Sequence, residues 1–426
     1  MNDHSTSNHA ASATGQETPI STGSRRSFLE KLSLALGAPI VFRGNLTEAI
    51  FPSALAQAAG LEGLPEYKSE LTLLSDRPLN AETPAHLLDP DITPNSLHFV
   101  RNNGLIPERA RTRDLSDWKF QIDGEVETPK TWSLDSLKSG FENVSAQITI
   151  ECGGNGRAGY HPPASGNQWT LGAVGCAQYR GVRLADVLNA CGVKRSAVYI
   201  GYYSEDLHLS RDPERLPISR GVPIEKALDP HTLLVWEMNG EPLPAEHGFP
   251  LRLICPGWPG STSGKWLKRI WVRDQVHDGP KMTGSSYRVP RHPVAAGTEV
   301  PSEDMEIITE MPVKSLITSP RTGGQSGLGS SLEVRGHAWS GTGQISQVDV
   351  SYDFGSTWQR ARLQPAPNRY AWQRWSIDLT FPSEGYYEVW ARATDSAGQA
   401  QPMIVPGWNP KGYLNNAMHR IAVKVA

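Results

Sequence analysis

Ala146-Gln147-Ile148-Thr149-Ile150-Glu151-Cys152-Gly153-Gly154-Asn155-Gly156-Arg157 joins an apolar, strand-like run to a glycine-rich turn, with a cysteine at the junction. A thiol at the end of a strand and before two glycines has its sulfur exposed. The glycines let the backbone come close to something bulky. Arg157, five residues on, supplies a fixed positive charge. A reactive or metal-bound thiolate needs such an electropositive setting. Taken singly, the cysteine reads more readily as a core thiol beside a tight turn, and the rest of the chain must decide.

The chain of 426 residues is long enough for two or three domains with proper cores. Its 40 glycines and 33 prolines favour turns and β structure over helical bundles. A net charge of -3 argues against a nucleic-acid partner. The four cysteines, Cys152, Cys176, Cys191 and Cys255, form no CxxC pair and no CxxCH. A structural zinc site and a covalent c-type haem in this chain are therefore disfavoured. Cys176, Cys191 and Cys255 sit in apolar surroundings and read as inert core thiols.

The N-terminus reads as an address. Ser24-Arg25-Arg26-Ser27-Phe28-Leu29 is a twin-arginine pattern, and a moderately apolar run from Leu32 to Phe42 follows it. Ala54-Leu55-Ala56 is a small-residue cleavage site. Residues 1–56 are predicted to be a twin-arginine signal peptide, which leaves a soluble periplasmic protein exported folded. The apolar run is too short to span a membrane, so no membrane span is expected.

Residues 57–300 read as one α+β domain. The stretch 61–107 looks extended and draped, and near its end Arg101 follows Phe99-Val100 and precedes Asn102-Asn103-Gly104. Strands are predicted at Phe120–Gly124, Val198–Tyr203 and Leu233–Asn239, the last closed by an Asn-Gly turn. Short helices are predicted at Leu184–Cys191, stopped by Gly192, and at Ile224–Leu228. No regular βαβ repeat occurs. Residues 290–312 are proline-rich and read as a linker. Residues 301–426 then change character. Val348, Val350 and Tyr352 alternate with polar residues, as do Trp375, Ile377 and Leu379, and then Tyr387, Val389 and Ala391. Period-two strands between glycine and proline turns indicate a β-sandwich of immunoglobulin type. Trp390 falls out of phase with its neighbours and is expected to face outward, toward a partner copy.

Several strings recur in order along the chain. They are Phe99-Val100-Arg101-Asn102, then Cys-x-Gly-Asn-x-Arg beginning at Cys152, then Met238-Asn239-Gly240-Glu241-Pro242-Leu243-Pro244-Ala245-Glu246-His247-Gly248-Phe249-Pro250-Leu251-Arg252, and Trp408-Asn409-Pro410-Lys411-Gly412. Together they resemble the sulfite oxidase family of molybdenum enzymes, from about residue 70 to the end. With the export signal, the likeness is to the bacterial periplasmic sulfite dehydrogenase type. The haem-bearing cytochrome b5 domain of animal members has no counterpart here.

The resemblance implies a molybdopterin-binding domain of sulfite oxidase fold followed by a dimerisation domain. The cofactor is molybdenum held by molybdopterin, with Cys152 as the metal-binding thiolate; soft sulfur suits such a metal. Arg101, Arg157 and Lys411 would line an anion pocket, Tyr287 its substrate-facing side and Trp169 its wall. Asn102, His247, Arg252 and Lys265 would hold the pterin and its phosphate, which favours fixed cations and guanidinium forks. By itself His247 could equally be a turn histidine, and Lys268 a solvated charge. The family often has arginine at Lys411, so the bidentate fork is lost there, and Gly156 replaces a second arginine seen in some relatives. The implied activity is oxidation of sulfite to sulfate, with electrons passed to an external acceptor, a c-type cytochrome, by a homodimer. Two rivals stand beside it: a related dehydrogenase acting on sulfane sulfur of a carrier protein, and a non-enzymatic periplasmic binding module.

Overall fold

The strand Val144–Glu151 runs antiparallel to Val174–Arg183 in continuous register, from Val144 opposite Gly181 to Glu151 opposite Val174. Val174–Arg183 pairs in turn with Leu233–Met238, which also pairs with Glu241–Pro242 and Arg252–Ile254, completing a five-stranded antiparallel sheet. The protein is described in a computed structural model over residues 63–426; the expected signal peptide lies outside the described residues. Successive residues of Leu233–Met238 serve opposite layers. Leu234 and Trp236 enter one core, and Leu233, Val235 and Met238 enter the other. A strand covered on both faces needs apolar side chains at consecutive positions, which explains the unbroken run.

The first core lies against a second five-stranded sheet made from Lys130–Trp132, Phe120–Gly124, Leu267–Arg273, Tyr199–Ser204 and Gly221–Pro223. Only Phe120–Gly124 and Leu267–Arg273 pair in parallel there. The helix Leu184–Cys191 adds Leu184, Val187 and Leu188 to this core and ends at Gly192, whose φ of 73° is the left-handed stop expected of it. The second core is closed by Leu79, Ala81 and Val100. They belong to a three-stranded sheet of Thr72–Asp76, Leu79–Glu82 and Val100–Arg101. The segment expected to drape as extended chain is therefore partly a sheet, because its short apolar runs find a buried face to pair over.

The C-terminal part is a two-sheet sandwich. One sheet orders Lys314–Ser319, Leu332–Trp339, Gln373–Leu379 and Arg362–Leu363. The other orders Gly324–Ser326, His419–Val425, Gly385–Asp395, Ile345–Ser351 and Gln359–Arg360. Trp375, Ile377 and Leu379 meet Val348, Val350, Val389 and Ala391 in its core, as the period-two pattern requires. Two expectations need correction. The proline-rich 290–312 segment is not a plain linker, since Arg288–Pro290 and Met305–Ile307 pair as an antiparallel ribbon. Trp390 is off the sandwich core as expected, yet it is only 9% exposed. Phe354 packs edge-on against its ring at 6.1 Å, and its Nε1 donates to Glu388 Oε2 at 3.0 Å. The side chain is satisfied within its own chain, and the exposed apolar residues nearby are Phe354, Met403 and Ile404.

The sandwich packs firmly on the first five-stranded sheet. Leu316, Trp339 and Trp372 share a buried cluster with Leu88, Val174 and Cys176. No helix among the described residues is long and apolar enough to cross a membrane.

Candidate active site

Cys152 follows directly on the strand Val144–Glu151, and its amide donates to Ala173 O at 2.9 Å. The thiol is not at an exposed strand end: Cys152 is 6% exposed and forms part of a cleft floor. The turn beyond it closes with Asn155 N donating to Cys152 O at 2.9 Å and Asn155 Oδ1 accepting from Ala173 N at 3.1 Å. The glycines make room for Arg157. A Cβ on Gly154 would lie 2.2 Å from an Arg157 guanidinium nitrogen, and one on Gly412 would lie 2.7 Å from Arg157 Cγ. This is why the cysteine and the arginine are separated by small residues.

The cleft is lined from both five-stranded sheets of the first part of the chain, by Ile150 and Arg252 from one and Tyr202 and Ser204 from the other. His98, Arg101, Cys152, His247, Arg252 and Lys265 line it. Several of the buried donors around it lack a hydrogen-bond partner among the described residues: His98 Nε2, Asn102 Nδ2, His247 Nε2 and Arg252 Nε. Lys265 Nζ donates to Glu246 O at 2.8 Å and to Asn102 Oδ1. Burial, with neighbouring cations adding to it, holds His98 and His247 well below the ordinary histidine range. The shift disfavours the charged form of His247, unlike the fixed cations a phosphate favours. Burial also lowers Arg252 and Lys265, and the Arg252 charge adds to the lowering of Lys265. An anion placed among these groups would relieve that repulsion.

A second hollow opens from Cys152 toward solvent and shares Arg101, Asn103 and Tyr287 with the cleft. Arg101 donates to Asn103 Oδ1 at 2.8 Å and to Tyr287 Oη at 3.5 Å, and Tyr287 Oη donates to Asn103 Oδ1 at 3.3 Å. Burial pulls the Arg101 guanidinium down, but Tyr287, Cys152 and Tyr413 outweigh it and leave it raised. Arg157, Lys281 and Lys411 complete a cationic rim. Arg157 also donates to Asn167 O at 2.7 Å and Lys411 O at 2.5 Å, and Lys411 Nζ to Ser165 Oγ at 2.9 Å.

Of the residues singled out from sequence, Asn102 lines neither hollow but accepts from Lys265, which does, and Trp169 stands apart. It is wholly buried behind Phe99, with ring centroids 6.5 Å apart, and lines neither hollow. Lys268 is exposed and away from the site. Asn103, Asp206, Ser261 and Tyr413 line the site but carry no separate signal in the sequence. Tyr413 could have been found, because it stands one residue beyond the Trp408–Gly412 string.

Residues 106–281 match the oxidoreductase molybdopterin binding domain family, and residues 305–426 match the Mo-co oxidoreductase dimerisation domain family. The chain is 33% identical to the sulfite oxidase of Gallus gallus over 388 residues, covering 88% of this chain and 83% of that one. The chain belongs to the sulfite oxidase family of molybdenum enzymes. It is an oxidoreductase of that family with a Mo-co dimerisation domain. It is also 35% identical to the mitochondrial sulfite oxidase of Drosophila melanogaster over 85% of its own length, but spans only 64% of that protein. A nitrate reductase of Hordeum vulgare is 32% identical over 83% of the chain, which spans 42% of that relative. Among solved structures, the sulfane dehydrogenase SoxCD from Paracoccus pantotrophus superposes with a TM-score of 0.67 at 26% identity, covering 96% of this chain and 97% of that one.

The donor set fits the cofactor of this family. One buried cysteine sulfur offers a single metal–sulfur bond, and unpartnered buried donors beside a crowded lysine and arginine suit a pterin with its phosphate.

Proposed function

We propose that this protein oxidises sulfite to sulfate at a molybdenum–molybdopterin centre and passes the electrons to an external acceptor, a c-type cytochrome. The observation that carries this reading is the convergence of Arg101, Arg157, Lys411 and Tyr287 on the open side of Cys152. Cys152 would bind the metal, while Asn102, His247, Arg252 and Lys265 would hold the pterin and phosphate. When bound, the centre supplies the oxygen atom and takes up the two electrons. The residues around it bind and orient. Arg101 and Arg157 neutralise the oxyanion, and Lys411 adds charge at the entrance. The Tyr287 hydroxyl, in contact with Arg101 and Asn103, hydrogen-bonds the substrate oxygens and moves protons. Trp169 supports this wall from behind by fixing Phe99.

The same reading takes the protein to the periplasm through the twin-arginine route, as the Ser24-Arg25-Arg26 pattern supports. It divides the chain into a catalytic domain to residue 300 and a sandwich from 301, and makes the active form a homodimer through that sandwich. The strand order of the two C-terminal sheets supports an immunoglobulin-type sandwich. The experiment is sulfite-dependent reduction of cytochrome c by purified protein of measured molybdenum content. Protein carrying molybdenum but inert toward free sulfite would sink the reading. The likeness to SoxCD favours a second substrate, sulfane sulfur on a carrier protein. Turnover that appears only when such a carrier is added would select it.

A further inference from the structure

Four side chains follow one another in contact beside Cys152. The Arg220 guanidinium lies 4.7 Å from the Tyr287 ring centroid. The Tyr287 ring stacks on Tyr413 at 5.5 Å with 16° between the planes. The Arg157 guanidinium lies 5.3 Å from the Tyr413 centroid. Each tyrosine thus has one ring and one cation against it. Arg157, Arg220 and Tyr287 come from the part of the chain before the sandwich, and Tyr413 comes from the loop that leaves it. The negative face of a phenol attracts a cation, and the attraction is strongest where water is excluded. Here it is excluded: Arg220 is 1% exposed, Tyr287 5% and Tyr413 7%.

Two features show what these contacts act on. Tyr287 has a φ of 53°, a left-handed backbone that a bulky residue adopts only when its surroundings hold it there. Its hydroxyl meets Arg101 and Asn103 at the anion pocket. Arg220 is an unusual neighbour for a purely structural role, because its hydrogen bond goes to Ser261 Oγ at 2.6 Å, not to a carboxylate, and its Nε has no partner among the described residues. The loop that carries Tyr413, by contrast, has hydrogen bonds that do not use the ring. That loop is held through backbone: Tyr413 N donates to Asn409 Oδ1 at 2.9 Å, and Tyr413 O accepts from Tyr160 Oη at 2.6 Å.

We propose that Arg220 and Tyr413 are positioning residues of the anion pocket: they clamp the Tyr287 ring between them, with Arg157 backing Tyr413, and thereby set the affinity for the substrate oxyanion. The substrate's identity rests on the function proposed above, but the clamp itself can be tested with sulfate. Calorimetric titration of sulfate into the full-length, molybdenum-loaded protein, and KM and kcat for sulfite, would be measured for Tyr413→Leu, Tyr413→Phe and Arg220→Met. Tyr413→Leu and Arg220→Met should weaken sulfate binding and raise KM about five- to tenfold, with kcat changing far less. Tyr413→Phe, which restores the ring face, should recover most of that affinity. Sulfate affinity unchanged in Tyr413→Leu, or equally poor in the Phe and Leu variants, would overturn the proposal. If Arg220→Met does not accumulate as folded protein, the Tyr413 pair decides alone. A wild-type protein that binds sulfate but does not oxidise sulfite would remove the proposed activity while leaving the clamp open to the same titration.

Discussion

Lys314 Nζ lies 2.6 Å from Glu151 Oε1, a buried ion pair between the first strand of the C-terminal sandwich and the residue just before Cys152. The carboxylate also accepts from Asn155 Nδ2 at 2.9 Å and from Trp339 Nε1 at 2.8 Å. Both side chains of the pair are 3% exposed or less. Breaking such a pair leaves one charge buried and unmatched, a cost of about 3–5 kcal/mol. Lys314→Met should therefore lower stability by that amount in chemical unfolding. Glu151→Gln on top of it should recover part of the loss, since the charge disappears. Wild-type unfolding of Lys314→Met would show that the pair contributes nothing.

Cys152→Ser should abolish turnover and molybdenum retention while circular dichroism stays native. A hydroxyl is a hard, weak donor in place of a soft thiolate. The backbone bonds that form the turn, Cys152 N to Ala173 O and Asn155 N to Cys152 O, do not involve the sulfur. Substantial activity in folded Cys152→Ser would exclude this thiol as metal ligand.

Arg101→Gln should raise KM for sulfite by the equivalent of about 1.5–3 kcal/mol, the usual worth of a charged hydrogen bond. Molybdenum content should change much less, because the unpartnered donors on the pterin side are untouched. Normal KM at full occupancy would leave Arg101 as support for Asn103 only.

Stability should fall as pH drops from about 6.5 to about 4. Burial is the main cause holding His277 and His337 to about 4. The unfolded chain protonates both near pH 6.5. Between the two values it binds protons that the native state refuses, so acid favours unfolding, and the loss is complete only once the native histidines also titrate. His337 stacks on Trp372 at 4.2 Å and meets Asp89 O at 3.0 Å. His337→Gln keeps a donor there but no titrating group. Its stability–pH slope in that window should be shallower by about 1.4 kcal/mol per pH unit. An unchanged slope would show that His337 does not contribute.

Much of this protein is written locally. Alternation at Val348, Val350, Trp375, Ile377, Val389 and Ala391 specifies sandwich strands because side chains of a strand leave opposite faces every second residue. Gly192 stops its helix because the left-handed conformation costs it little. The strings around Arg101, Cys152, His247 and Lys411 were sufficient to place the family. What no local rule reaches is which distant segments meet. Glu151 pairs with Lys314, Arg157 reaches Lys411 O, and Tyr287 stacks on Tyr413. In each case the partners are brought together by the packing of the sandwich on the first sheet. Burial is decided in the same way. The sequence leads one to expect an exposed Cys152 and a Trp390 that faces outward toward a partner copy. Each was revised by neighbours that come from elsewhere in the chain, because exposure and charge state depend on what covers a side chain and spacing along the sequence carries no record of that.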